Sequence, residues 1–260
     1  LRMDSNSSKP FLVKPSKAVR YRYNIPREKV NDYLEPGVFI DYNLDKNNYR
    51  NISISFFSDN GKLINSFRNG TPDKKEISEY NMQLNKFISI KTPKVTNKKG
   101  YNRFRWNLRH QGIKNGDKTI NGPHIRPGKY KVEISVDKQD IISKEFIVIK
   151  DPNTDISQKT FIDLEEFQLK LLDKIKQSFQ LANNIKSLKS NKKTTKSKLK
   201  ILNLKLEMLE TKEGIYMQPM LIDQLKYLYN MVTKADQILG KDAYDRFNEL
   251  CTRLKKIKSL

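Results

Sequence analysis

Gly100-Tyr101-Asn102-Arg103-Phe104-Arg105-Trp106-Asn107-Leu108-Arg109 alternates Phe104, Trp106 and Leu108 with Arg103, Arg105, Asn107 and Arg109. Successive side chains of a strand point to opposite faces, so the stretch predicts a strand with one packed face and one basic face. Beyond a polar loop, Pro127-Gly128-Lys129-Tyr130-Lys131-Val132-Glu133-Ile134-Ser135-Val136 repeats the alternation. Asp137-Lys138-Gln139-Asp140 then reverses the chain into Ile141 to Lys150, and Asp151-Pro152 stops the sheet.

Upstream the same logic gives shorter strands. Phe11-Leu12-Val13 reads as an edge strand and Val19-Arg20-Tyr21-Arg22-Tyr23 as an alternating one, with a two-proline loop from Asn24 to Pro36. Val38-Phe39-Ile40-Asp41-Tyr42-Asn43-Leu44 follows Gly37 as a strand. Asn51 to Phe57 and Lys62 to Phe67 flank Ser58-Asp59-Asn60-Gly61, a hairpin signature because Asn-Gly supplies positive φ cheaply. Residues 68–98, with weak alternation from Met82 to Ile90, read as a long excursion. Six or seven short antiparallel strands imply a β-sandwich.

After Asp151-Pro152 the period changes. Phe161, Leu164, Leu171, Ile175, Ala182 and Ile185 recur at helical spacing, with N-cap candidates between Asp155 and Thr160 and Asp163, Glu165 and Glu166 in the following turn. Ser187 to Lys200 reads as an interruption. It and the adjoining Lys186 hold seven lysines and no acid. A second helix runs through Leu199, Leu202, Leu206 and Leu209 to Gly214. A third follows Pro219 through Leu221, Leu225, Leu228 and Val232. After Gly240 a fourth places Tyr244, Phe247, Leu250, Leu254 and Ile257 inward. Short connections predict an up-down array.

The 260 residues carry 51 Lys and Arg against 29 Asp and Glu, a formal charge of +22, and both halves are basic. Such a field suits an anionic partner: nucleic acid, acidic polysaccharide, lipopolysaccharide or an acidic protein surface. Lysines dispersed over solvated positions produce the same count. Cys251 is the sole cysteine, which leaves no disulfide framework and no thiolate metal site, and it falls on the apolar side of the fourth helix as a structural thiol. No apolar run is long enough to span a bilayer. Leu1-Arg2-Met3-Asp4 shows neither an initiator Met nor a signal-peptide apolar region, as expected of a fragment or processed product.

No residue set amounts to a catalytic site. His110 and His124 flank one loop, but Asp117 is the sole carboxylate between them, so surface histidines compete with a metal pair. Asp41 in an apolar strand is either an acid with a shifted pKa or a solvent-facing residue. Gly-rich phosphate loops, Gly-x-Ser-x-Gly and His-Glu-x-x-His are absent from the sequence. Arg103, Arg105 and Arg109 offer donor forks that match phosphate, sulfate or carboxylate. Lys192, Lys193 and Lys196, within the lysine run, could steer polyanions or lie on lipid headgroups, and a solvated interhelical loop is the plainer account.

The order of motifs resembles one family: the C-terminal module of large bacterial exported proteins with sortilin-like or BNR-type β-propellers, often labelled glycosyl hydrolases. Lys14-Pro15 with Ala18-Val19-Arg20, Gly37 to Leu44, Asp59-Asn60-Gly61-Lys62-Leu63-Ile64, Gly100 to Arg109, Pro127 to Val132 and Lys150-Asp151-Pro152 carry it, over about residues 12 to 257. The resemblance implies an immunoglobulin-like sandwich before a helical region, in a cell-envelope, periplasmic, outer-membrane-associated or secreted protein. It transfers no catalytic residue. The chain contains no Ser-x-Asp-x-Gly-x-x-Trp Asp-box, so any hydrolase activity would reside in a propeller outside it.

The expectation is therefore an α+β chain: a flexible lead-in at 1–10, an immunoglobulin-like antiparallel β-sandwich at 11–152, and an antiparallel helical bundle at 153–260 with a Lys-rich interhelical loop near 186–200. The preferred function is a non-catalytic structural and interaction module docking a β-propeller or another envelope protein. The alternatives are an anionic-glycan-binding module using Arg103, Arg105 and Arg109, with Lys192, Lys193 and Lys196 as further anion-binding candidates, and an accessory part of a glycoside hydrolase whose active site lies in an absent propeller. No cofactor is expected, and nucleic acid ranks last among partners.

Overall fold

Trp106 organises the β part of the chain because two sheets meet on its ring. The computed structural model describes residues 9–20, 36–69, 77–81, 86–90, 94–116, 118–137, 140–191, 194–214 and 217–260. It divides into two units, Leu1–Gln158 and Lys159–Leu260. The protein is α+β, with strands throughout the first unit and helices throughout the second.

In chain order the first unit contains β1 (Phe11–Leu12), β2 (Ala18–Arg20), β3 (Val38–Leu44), β4 (Ile52–Ser58), β5 (Leu63–Arg68), β6 (Ile77–Asn81), β7 (Lys86–Ile90), β8 (Gly100–Trp106), β9 (Ile113–Asn115), β10 (Lys118–Ile120), β11 (Gly128–Val136) and β12 (Asp140–Lys150). One sheet has the order β1-β3-β8 and another β2-β12-β11-β4-β5; β6 pairs with β7 and β9 with β10. All pairs are antiparallel except β2 with β12. The expected hairpins at Asn60-Gly61 and at Asp137 to Asp140 are present as β4-β5 and β11-β12, and Gly61 takes a φ of 79°. The excursion expected at 68–98 contains the β6-β7 hairpin, while Met82 lies outside the described residues. So do 1–8 of the lead-in, 21–23 of the second alternating stretch and 24–35 of the proline loop.

Alternation places Val38, Ile40, Tyr42 and Leu44 of β3 and Phe104 and Trp106 of β8 in one buried cluster with Ile52, Ile54 and Phe56 of β4, Val132 and Ile134 of β11, and Phe146 and Val148 of β12. Both larger sheets thus bury a face in a single core. Phe56 stacks on Trp106 with ring centroids 4.0 Å apart, and Phe146 meets the indole edge-on at 6.4 Å. The indole Nε1 donates to the Arg109 carbonyl at 3.1 Å, which satisfies a polar atom that burial would otherwise penalise.

That bond requires the chain to turn. Leu108 adopts φ 58°, so β8 stops at Trp106 instead of running to Arg109 as the alternation predicts. Leu108 remains buried, and Arg109 pairs its backbone with His124. The returning loop runs against the same backbone: a Cβ on Gly122 would strike the His110 carbonyl oxygen.

The second unit contains most of α1 (Gln158–Ser190), whose first residue belongs to the first unit, followed by α2 (Lys196–Leu209), α3 (Leu221–Thr233) and α4 (Lys241–Ser259). The inward seam of α1 is Phe161, Leu164, Gln168, Leu171, Ile175, Ser178, Ala182 and Ile185, all buried at alternating three- and four-residue steps. Its polar member Gln168 donates from Nε2 to the Val232 carbonyl at 2.7 Å, one of the last-turn carbonyls of α3 that lack an intrahelical donor.

Two helical expectations are corrected. The Lys-rich segment at 186–200 is mostly helix: α1 continues to Ser190, and α2 begins at Lys196 after Thr195, whose hydroxyl accepts from the Lys198 amide. Lysine is a good helix former, so a polar run does not interrupt a helix, whereas a capping threonine starts a new one. Nor does the up-down order hold for α1 and α4. Phe167 packs on Tyr244 and Phe247 while Gln177 accepts from Lys258, so these helices advance in the same direction. The 14 residues of α2 cannot retrace the 33 of α1, and Glu210 just beyond α2 pairs with Lys186 in the last turns of α1.

Trp106→Ala is expected to cost about 3–5 kcal/mol, as removal of a fully buried large aromatic does. Gly122→Ala is expected to cost about 1–3 kcal/mol through the backbone clash. Arg103→Ala, which removes an exposed ion pair, is expected to stay within about 1 kcal/mol. Urea unfolding midpoints of the three variants check the order.

Candidate functional site

The basic face of β8 was the first candidate, and its arginines are engaged within the protein. Asp41 sits opposite Arg103 in the β3-β8 register, and Arg103 Nε and Nη2 donate to the two carboxylate oxygens at 2.6 and 2.8 Å. The carboxylate raises the Arg103 pKa, and the guanidinium also lies 5.2 Å over the Phe39 ring. Asp41 therefore lies on the outer face of the sheet in an ion pair. Arg105 Nη1 donates to the Pro36 carbonyl at 2.9 Å, and Arg109 Nη1 to the Gly122 carbonyl at 3.0 Å. Arg103 and Arg105 share the outer face of β8, whereas Arg109 has left the strand.

Lys196, in the first turn of α2, belongs to the helical unit, and Lys192 and Lys193 lie outside the described residues. The structure brings the backbones of His110 and His124 onto neighbouring segments, where the His110 amide donates to the Pro123 carbonyl at 2.9 Å. Asp117 is outside the described residues, and among the described ones no group of three or more His, Cys, Asp or Glu could hold a metal ion.

Among the described residues, a groove of about 870 Å³ lies in the helical unit, between α3, the 234–240 connection and the start of α4. The inward residues of α3 are Leu221, Ile222, Leu225, Tyr229 and Val232. Its other side presents Tyr227, 62% exposed, and Met231, 43% exposed, one helical turn apart. Leu228, which the sequence places inward, is half-buried and lines the groove. Ile238, from the connection, also lines the groove and is 78% exposed. The charged lining residues are Asp223, Asp242 and Arg246, so acids outnumber bases here in a chain of formal charge +22.

These charges are held in place. Asp223 accepts from Lys226 at 2.9 Å and from the Thr211 hydroxyl at 2.6 Å. Gln224 Oε1 accepts from both Arg246 and Arg253, which ties α3 to α4. The sequence pattern did not reveal this site, because Tyr227 and Met231 were absorbed into a helix already supplied with an apolar stripe. An isoleucine in a short polar connection was the available signal.

No protein-family model matches the chain, and no curated protein matches it. Among solved structures, the crystal structure of CopC from Methylosinus trichosporium OB3b aligns with 15% identity over 56% of this chain and 98% of that one, at a TM-score of 0.23. A likeness of that degree assigns neither fold nor function.

Cys251, on α4, is half-buried; burial pushes its thiol up while Lys174 and Lys255 pull it down. A raised pKa keeps the group protonated at neutral pH and postpones the thiolate to more alkaline solution. Iodoacetamide is therefore expected to alkylate the folded chain at pH 7 more slowly than the urea-unfolded chain, with the difference shrinking as pH rises. Equal rates at pH 7 would mean an activated thiol.

Proposed function

We propose that the chain is a non-catalytic structural and interaction module of an exported bacterial protein, located in the cell envelope or secreted, and that it docks a β-propeller domain. In this proposal the β unit is an immunoglobulin-like sandwich and the helical unit a bundle in which α3 and α4 run antiparallel. The succession of motifs from Lys14 to the start of α1 supports the module class, and the shared core of the two larger sheets is compatible with it.

The observation that carries the docking role is the α3-α4 groove. Tyr227, Met231 and Ile238 hold apolar surface in water at one concave place, which favours an interaction site over scattered surface residues. A volume near 870 Å³ accommodates several apolar anchors. The lining lacks the positive surplus of the rest of the chain, so it suits an apolar polypeptide segment and not a polyanion. An anionic-glycan module has less support, since the three arginines proposed for it contact Asp41, Pro36 and Gly122.

A photo-cross-linking residue at position 238, introduced in the native host, is expected to give a covalent adduct with a polypeptide that contains propeller repeats. Tyr227→Asp should reduce that adduct about tenfold or more while leaving stability within about 0.5 kcal/mol. Cross-linking only to a second copy, or adducts insensitive to Tyr227→Asp, would overturn the proposal.

A further inference from the structure

A second exposed apolar surface lies on α2, and its surroundings are of the opposite character to the groove. The inward stripe of α2 is Leu199, Leu202, Leu206 and Leu209, with Leu202 and Leu209 buried. Ile201 and Leu204 lie roughly 100° and 160° from Leu202 around the helix, and they are 46% and 50% exposed. Leu188, in the last turn of α1, is also exposed, at 43%. The helix is thus apolar on two faces, and packing accounts for one.

The charge around the outer face is mainly positive, with exposed Glu207, one turn beyond Leu204, as an acid on it. From Lys174 to Leu206 the sequence holds ten lysines and no acid. Lys196, Lys198 and Lys200 are exposed in the first turns of α2. That end of a helix carries the positive pole of the backbone dipole, so the charges of the lysines there oppose the local field. The acids that close the helical segment are neutralised, Glu207 by Lys212 and Glu210 by Lys186.

We propose that the outer face of α2 docks on the surface of an anionic lipid bilayer. Aliphatic side chains flanked by lysines match a headgroup boundary, where the chains enter the acyl edge and the ammonium groups pair with lipid phosphates. Among the described residues no helix is long and apolar enough to cross a membrane, so the helix would lie in the interface plane. Nucleic acid fits this surface less well. The segment Lys196–Leu209 has no aromatic side chain on which bases could stack, and phosphate contact alone gives no use for exposed Ile201 and Leu204. The surface is separate from the α3-α4 groove, so the two proposals stand independently.

The test is co-sedimentation of the full chain with vesicles of equimolar phosphatidylglycerol and phosphatidylcholine, and with pure phosphatidylcholine vesicles. Binding is expected to the first and not the second, and to weaken as salt rises. The double variant Ile201→Gln with Leu204→Gln should lose about tenfold or more in affinity at low salt with unchanged helical circular dichroism. Lys198→Gln with Lys200→Gln should weaken binding at low salt and flatten its dependence on salt. No binding to the anionic vesicles, or binding indifferent to the Ile201 and Leu204 changes, would overturn the proposal. Tighter binding to duplex DNA than to the anionic vesicles would do so as well, assigning the lysines to nucleic acid.

Discussion

The stack of Phe56 on Trp106 joins the two larger sheets, and the requirements of the indole propagate outward from it. A flat ring contact at 4.0 Å fixes which face of each strand is inward. Trp106 is then opposite Val38 in one sheet, and Phe56 opposite Val132 in the other. The indole N–H also needs an acceptor, and it finds one only because Leu108 turns the backbone so that the Arg109 carbonyl points back. The end of β8, the position of Arg109 and the close approach of Gly122 to His110 are consequences of that one bond.

The helical unit solves a comparable problem at the end of α3. A buried helix terminus leaves carbonyls without donors, and a glutamine in the apolar seam of α1 supplies one. Anchoring Val232 in this way sets where the chain leaves α3, and so where the short connection carries Ile238 past Tyr227 and Met231. A polar residue in the core thereby shapes an apolar surface outside it. The parallel course of α1 and α4 follows from the shortness of α2, which spans about 21 Å against about 50 Å for α1 at 1.5 Å per residue.

Charge distinguishes the surfaces more clearly than hydrophobicity does. On the outer face of the β1-β3-β8 sheet, arginine is balanced by Asp41 and by backbone carbonyls, which makes the face basic in composition but internally compensated. The α3-α4 groove is apolar with a small acidic excess, whereas the α2 face is apolar with a basic excess. A sum of +22 conceals this division because it adds residues that the fold keeps apart.

Sequence by itself determined the elements whose signals are local. Alternation located β3, β4, β8, β11 and β12, Asn60-Gly61 located a hairpin, and the seam of α1 was visible except for Gln168 and Ser178, which its apolar pattern skips. These features depend on the two-residue and 3.6-residue periods and on turn chemistry, which neighbouring residues set among themselves. Tertiary structure alone decided the partners of Arg103, Arg105 and Arg109, the stop at Trp106, the direction of α4 relative to α1, and which apolar residues of α2 and α3 face water. Those outcomes depend on donors, acceptors and packing surfaces supplied from distant parts of the chain, and Asp41 with Arg103 or Gln168 with Val232 has no signature in local spacing. Periodicity records that a helix has an apolar stripe; a second stripe is recognised as surface only once the first has been buried.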